Sequence, residues 1–351
     1  MSEYFKLNDT ESLNQFLPTQ PLCKVMETAS APPIALQVNL FTCGGIAIGG
    51  SLCHKIGDAA VAGALLKSWA AIFSGSPNKV IYPDLSLQSS LFPPRQDLPQ
   101  NYLALMDEMW FKESNYVTRR FVFNAESIAK LRAQAKSESV PKPSRVETIT
   151  CFIWKHIMAA SWKISGGSPR TSVLAHAVNL RPRMKPQYLL ESCTGNLFWW
   201  GLVAANPDAK ANMELHGLVG LLEEALALYD DKEFLESLSG EDGFSVMSEL
   251  FNQQEAMINL ESENPVDILG FTSWIGNSSF NELDFGWGKP YWLGVMGKVG
   301  PAFRNLVILV DSQWGRGIEA WVNLEEKLMG VLENDPNFLS FASPNPSISS
   351  L

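Results

Sequence analysis

Two short segments carry side chains able to do chemistry. The first is HKIGD, in which His54 and Asp58 stand four residues apart. A free imidazole titrates near pH ~6.5, so it can accept and return a proton at neutral pH. The chain has four histidines, and about 0.2 HxxxD matches are expected by chance, so the spacing alone is a weak signal. Context separates His54 from the others. It follows the small residues Gly49, Gly50 and Ser51 at the end of a strand pattern and precedes a helix pattern. Such junctions are where α/β proteins place reactive groups. Asp58 reads as an N-cap or first-turn carboxylate of that helix. His156 and His216 fall in helical patterns and His176 in a strand pattern, and all three read as structural. Cys53 is the one thiol beside His54, and the chain has no GxSxG elbow. Adjacent strand side chains point to opposite faces, which argues against a Cys53–His54 nucleophilic pair.

The second segment is DFGWG, Asp284 to Gly288, followed by Lys289 and Pro290. A pentapeptide of this composition should arise by chance on the order of once in tens of thousands of chains this size. Two glycines flanking a tryptophan indicate a rigid loop with positive φ angles and a buried indole. Only Asp284 could serve as an acid or base there, so the loop reads as structural.

The elements around these segments follow from periodicity. Ile34, Leu36, Val38 and Leu40 alternate with Ala35, Gln37 and Asn39, the pattern of a half-buried strand. Cys43, Gly44 and Gly45 form a turn, and a second strand starting at Ile46 runs toward His54. From Asp58 a helix is expected, with Val61, Leu65, Trp69 and Ile72 recurring and several alanines allowing close packing. It stops at Ser74 to Pro77. Pro83 to Pro99 holds four prolines and reads as a connector between domains. Further on, strands are expected at Thr118–Asn124, Val173–Leu180, Asn305–Val310 and Ile318–Asn323. Helices are expected at Ala125–Ala135, Thr148–Ala160, Met213–Tyr229 and Glu325–Glu333. Ser144 and Glu147 make a capping-box pattern, and the tail after Pro344 reads as frayed. Interspersed strands and helices place the chain in the α/β or α+β class with mixed sheets.

Composition narrows the function. The 351 residues suffice for two modest domains, and 46% apolar with 18% charged residues excludes a disordered chain, a coiled coil and a collagen-like fibre. A net charge of -10 argues against nucleic-acid binding. The five cysteines, Cys23, Cys43, Cys53, Cys151 and Cys193, are odd in number and lack metal-type spacing, so free thiols in a reducing compartment and no metal are expected. The start lacks the apolar core of a signal peptide, and the most apolar stretch, Gly44 to Leu52, is too short to span a bilayer. A cytoplasmic protein without a membrane partner is the expectation.

HKIGD and DFGWG together resemble the plant BAHD acyltransferases, which use an acyl-CoA to acylate an alcohol or amine of a specialised metabolite. The resemblance covers almost the whole chain. FTCGGIAIG before the histidine, NLRPRM at 179–184, TGN at 194–196, TSW at 272–274 and GIEAWV at 317–322 all fall in family order. The likeness is to members acting on alkaloid alcohols and on acylsugars. It implies a two-domain chloramphenicol-acetyltransferase-like fold with mixed sheets and flanking helices. Residues 1–82 would be the remainder of an N-terminal domain, 83–99 a crossover linker and 100–351 the C-terminal domain. Family members carry HxxxD well over a hundred residues from their start, so the first domain is expected to be incomplete.

The resemblance also implies roles. His54 matches the catalytic base. Asp58 matches a carboxylate that points away from substrate and pairs with the arginine matched by Arg181. Thr272 and Trp274 match positions that line the site and assist the tetrahedral oxyanion. Asp284, Phe285, Gly286, Trp287 and Gly288 match a structural loop remote from the reacting atoms, and Ser144 and Arg145 lie in the region that approaches CoA. Neutral His54 would take the hydroxyl proton as the oxygen attacks the thioester, in a ternary complex without an acyl-enzyme. A monomer with acyl-CoA as cosubstrate, a small-molecule alcohol as acceptor and no bound cofactor is expected. Two other readings compete. One is a catalytically inactive, truncated relative acting as a binding module. The other is a carrier-protein-dependent condensing domain, which usually has a second histidine where Cys53 stands and leaves DFGWG unexplained. Trp199, Trp200 and Trp274 could narrow a pocket or simply fill core.

Overall fold

The computed structural model describes residues 10–22, 32–95, 107, 110–184, 192–208, 213–240, 242–263, 266–276, 279–300, 304–313 and 315–348. Cys23 and residues 96–99 of the expected connector lie outside this set. Nine strands are described: β1 (Ile34–Leu40), β2 (Ile46–Leu52), β3 (Tyr116–Phe123), β4 (Ser172–Asn179), β5 (Phe198–Ala205), β6 (Asp267–Ser273), β7 (Leu306–Asp311), β8 (Ile318–Glu325) and β9 (Ser343–Pro344). The longer helices are α1 (Ala59–Phe73), α2 (Ala125–Gln134), α3 (Arg145–Ile164), α4 (Leu215–Ala227), α5 (Gly243–Glu263) and α6 (Glu326–Leu332).

The chain divides into two compact units. The first gathers residues 1–81, 111–128 and 273–351, and the second 82–110 and 129–272. This grouping differs from the contiguous segments expected from the sequence. The physical reason in the first unit is strand pairing across a long separation. β3 lies antiparallel to β8, from Tyr116 opposite Glu325 to Phe123 opposite Ile318, and β7 flanks β8 on its other side. β9 adds a short edge to β3. β3 reads YVTRRFVF, rich in the β-branched and aromatic residues that suit a buried pleat, and seven of its eight positions are buried.

A buried ion pair crosses this sheet. Arg120 Nη1 of β3 donates to Glu319 Oε2 of β8 at 3.1 Å, and Trp292 Nε1 donates to the same oxygen at 3.3 Å. Burial pushes the Glu319 carboxyl up, against the pull of Arg120. Arg120 Nη2 also donates to the Pro346 carbonyl, and the Asn345 amide bonds the Arg120 carbonyl at 2.7 Å. The chain after Pro344, expected to fray, is therefore held down through buried Ile348.

In the second unit β4 lies between β5, antiparallel, and β6, parallel, so the sheet is mixed. Trp154 Nε1 of α3 donates to Ser172 Oγ of β4 at 2.8 Å, fixing the helix over the sheet. The described part of the expected connector is not a free tether. The Asp84 amide bonds the Ser192 carbonyl at 2.9 Å, a short helix spans Leu87–Leu91, and Leu87, Leu91 and Phe92 pack on a core of Val178, Leu180 and Leu235. Prolines set its ends, and its apolar residues hold its middle.

The β1–β2 hairpin overturns the ordinary reading of its alternation. Gln37 Nε2 donates to the Gln15 carbonyl at 2.8 Å and Asn39 Nδ2 to the Phe16 carbonyl at 3.1 Å, so the polar side of β1 faces the 3-10 segment Glu11–Phe16. Leu36, Val38, Leu40, Ile46 and Ile48 lie on the other side and are exposed, Leu40 by 78%. Hydrogen bonds to the chain's own backbone take the face that apolar burial would otherwise claim.

Candidate active site

His54 stands in a tight turn between β2 and α1. The Ile56 amide donates to the Cys53 carbonyl at 3.0 Å, closing the turn, and the Cys53 amide donates to the Pro33 carbonyl at 2.8 Å, anchoring its start. The imidazole is exposed. Asp58 is buried and caps α1: its Oδ1 accepts from the amides of Ala60 at 3.1 Å and Val61 at 3.3 Å. Between them Gly57 lies so close to the first helical turn that a Cβ there would sit 2.7 Å from the Cβ of Val61. HKIGD is thus a helix-start device that presents one histidine to solvent.

The other end of α1 meets the DFGWG loop. Gly286 and Gly288 have φ of +96° and +114°, angles that L side chains rarely adopt. Asp284 Oδ1 accepts from both of their amides, at 2.8 and 3.1 Å, and these bonds hold its carboxyl below the usual carboxylate range. Phe285 is buried edge-on against Trp69 of α1, with ring centroids 4.9 Å apart. The expected buried indole is not found. Trp287 is 56% exposed, stacked on Phe285 at 5.4 Å and edge-on to Phe73 at 5.0 Å. The phenyl ring enters the core and the larger indole covers it. With about 1.5 Å of rise per residue, the ring contacts at Trp69 and Phe73 stand about 15 and 21 Å along the axis from the Ala59 start of the helix.

Trp274 follows β6. Its amide donates to the Leu309 carbonyl at 2.8 Å, and its ring lies 5.7 Å from Phe280. It packs against the cluster of Ala70, Phe280, Leu283 and Phe285. The first unit therefore brings the helix that follows His54, Trp274 and the DFGWG loop into one packing group. Thr272, half-buried near the end of β6, belongs to the second unit.

So do Ser144, Arg145 and Arg181. Ser144 Oγ accepts from the Glu147 amide at 3.1 Å while Glu147 Oε2 accepts from the Ser144 amide at 2.8 Å, a complete capping box. The helix begins at Arg145, three residues earlier than periodicity indicates, because the cap and not the apolar stripe sets its start. Arg181 is buried, and its Nη2 donates to the Gly195 carbonyl at 3.0 Å, tying NLRPRM to TGN.

His176 of β4 is buried, as a structural histidine should be. Burial, reinforced by nearby Arg183, pulls its pKa down to about 4 against the opposing hydrogen bond with the Ala177 carbonyl. The ring stays neutral. His156 lies tilted against Phe152 on α3, with ring centroids 4.6 Å apart. Among the described residues, no three His, Cys, Asp or Glu side chains gather to hold a metal ion. No described helix is long and apolar enough to cross a membrane.

The profile described as the transferase family matches residues 1–339. Akuammiline synthase 2 of Alstonia scholaris is 36% identical over 351 residues, which cover 99% of this chain and 76% of that protein. The chain belongs to the transferase family, the BAHD acyltransferases. Limonoid 7-O-acetyltransferase of Citrus sinensis is 36% identical over 318 residues, covering 89% of this BAHD acyltransferase and 67% of the relative. The crystal structure of vinorine synthase superposes with a TM-score of 0.75 at 31% identity, covering 98% of this chain and 74% of that one. A protein of F. sporotrichioides, crystallised with coenzyme A and T-2, shares the fold with a TM-score of 0.67 at 16% identity, covering 97% of this chain and 76% of that one. The BAHD fold, mixed α/β with flanking helices, is thus the fold of this chain.

Sequence reasoning missed the residues that join the two motifs. Phe280 and Phe73 carry no chemistry and stand out in no motif. The available signal was the spacing of Ala62, Leu66, Trp69, Ala70 and Phe73, which lines one helix face.

Proposed function

We propose that this BAHD acyltransferase moves an acetyl or other short acyl group from a CoA thioester to a hydroxyl of a plant specialised metabolite. An alkaloid, limonoid or acylsugar alcohol is the acceptor class. Similarity to akuammiline synthase 2 and to a limonoid 7-O-acetyltransferase favours the first two. The observation that carries the reading is the exposed imidazole of His54 in a turn fixed on both sides by backbone hydrogen bonds.

In the ternary complex, neutral His54 accepts the hydroxyl proton as the alcohol oxygen attacks the thioester carbon. Thr272 and Trp274 supply donors or walls for the tetrahedral oxyanion. That intermediate collapses as the C–S bond breaks, and the imidazolium returns its proton to the CoA thiolate. The products are an ester and CoA. Asp58 serves as structural support by capping the first turn of α1. Ser144 and Arg145 approach CoA at the start of α3, where the positive end of the helix dipole favours a phosphate. The enzyme acts as a cytoplasmic monomer without a bound cofactor.

Purified protein mixed with acetyl-CoA and candidate alcohols should release CoA thiol and yield an ester seen by mass spectrometry. His54→Ala should lower the rate roughly 10²–10⁴-fold. Full activity in that variant would refute the base assignment.

A further inference from the structure

Helix α1 is held at both ends, and only one end carries chemistry. At its start are the Asp58 cap and the His54 turn. Near its end, Trp69 and Phe73 meet Phe285 and Trp287 through three edge-on ring contacts, at 4.9, 6.2 and 5.0 Å. Ala62, Leu66, Trp69, Ala70 and Phe73 mark one continuous face over the three turns between. The segment opposite that face, residues 279–288, also touches Trp274 through Phe280 at 5.7 Å. One loop thus grips the helix leading back to His54 and the tryptophan that follows β6.

A helix is stiff along its axis, so a loop that fixes its side-chain face at one end sets the position of the other. From this juxtaposition we infer that Trp69 and Phe285 are positioning residues, which act on the acyl transfer by holding the His54 turn in register with the Trp274 segment through α1. The inference rests on the assignment of His54 as the base. It separates two duties that packing alone would merge. Loss of apolar volume beside Phe285 lowers stability, whereas loss of the edge-on geometry displaces a histidine beyond the helix start, about 15 Å along the axis. A small misplacement of a catalytic group is enough to cost a large factor in rate.

Trp69→Leu and Phe285→Leu keep the site apolar and remove the ring geometry. Each should lower kcat about 10-fold or more while KM for acetyl-CoA changes less than about 2-fold and the folded fraction at assay temperature stays as in the parent. Trp69→Phe restores an edge-on ring and should recover most of kcat. The deciding measurement is a double-mutant cycle with His54→Ala. If Trp69 works through His54, Trp69→Leu has little further effect in the His54→Ala background. Multiplicative losses overturn the positioning role and leave the base assignment standing. A His54→Ala enzyme as fast as the parent overturns both. A fall in kcat that only tracks the folded fraction, or no fall at all, also overturns the positioning role.

Discussion

A buried histidine and an exposed one divide the work of this residue type. His176 is neutral because burial pulls its pKa to about 4. An unfolded chain binds a proton on that ring below pH ~6.5, whereas the folded one resists until about 4. The folded state therefore loses stability as pH falls through this window, on the order of 3 kcal/mol in all. Urea melts at pH 7 and pH 4.5 should show a smaller pH-dependent loss for His176→Asn than for the parent. An equal loss in both proteins would contradict the assignment. At this scale the sequence was readable wherever a residue's neighbours are local. Burial of His176 follows from an apolar strand around it, and the capping role of Asp58 from its place before a helix. The environment of Trp287 was not readable. Which of two aromatic rings in DFGWG enters the core depends on Trp69 and Phe73, more than two hundred residues away.

Helix α1 follows the proposed base, and its start hangs on one carboxylate. Asp58→Ala leaves two amides without their acceptor and should lower stability by about 1 kcal/mol. Asp58→Asn keeps an oxygen in the same place and should melt within a few tenths of a kcal/mol of the parent. Thermal melts of the two variants distinguish a cap from a charge, because loss of stability in both would mean that the negative charge matters more than the hydrogen bonds. Long elements with strong periodicity were legible. α1 runs from Ala59 to Phe73 as its stripe indicates, and β8 starts at Ile318 as expected. Other elements escaped because their patterns are not local. β5 and β6 are recognisable as strands chiefly through pairing with β4. β1 was recognised as a half-buried strand, but its buried side was not legible, since alternation specifies two faces without saying which one meets a partner.

The molecule is assembled from distant stretches of chain. Residues 111–128 reach residues 273–351 through β3 and β8, and the Arg120–Glu319 pair locks that joint from within. Family motifs announce such an assembly only indirectly, because a strand pair separated by about two hundred residues leaves no spacing to read. The hairpin of β1 and β2 has a different consequence, one for how the enzyme is handled. Val38 and Leu40 point their greasy side chains at water, 54% and 78% exposed, and two molecules that meet there gain by sticking. Storage life, more than melting temperature, should then limit a stock solution. Its half-life at a fixed warm temperature should shorten as the stock is concentrated, and Val38→Thr with Leu40→Lys should lengthen it without moving the melt. Light scattering against time at two dilutions measures this, and clumping at one rate in both would point elsewhere on the surface.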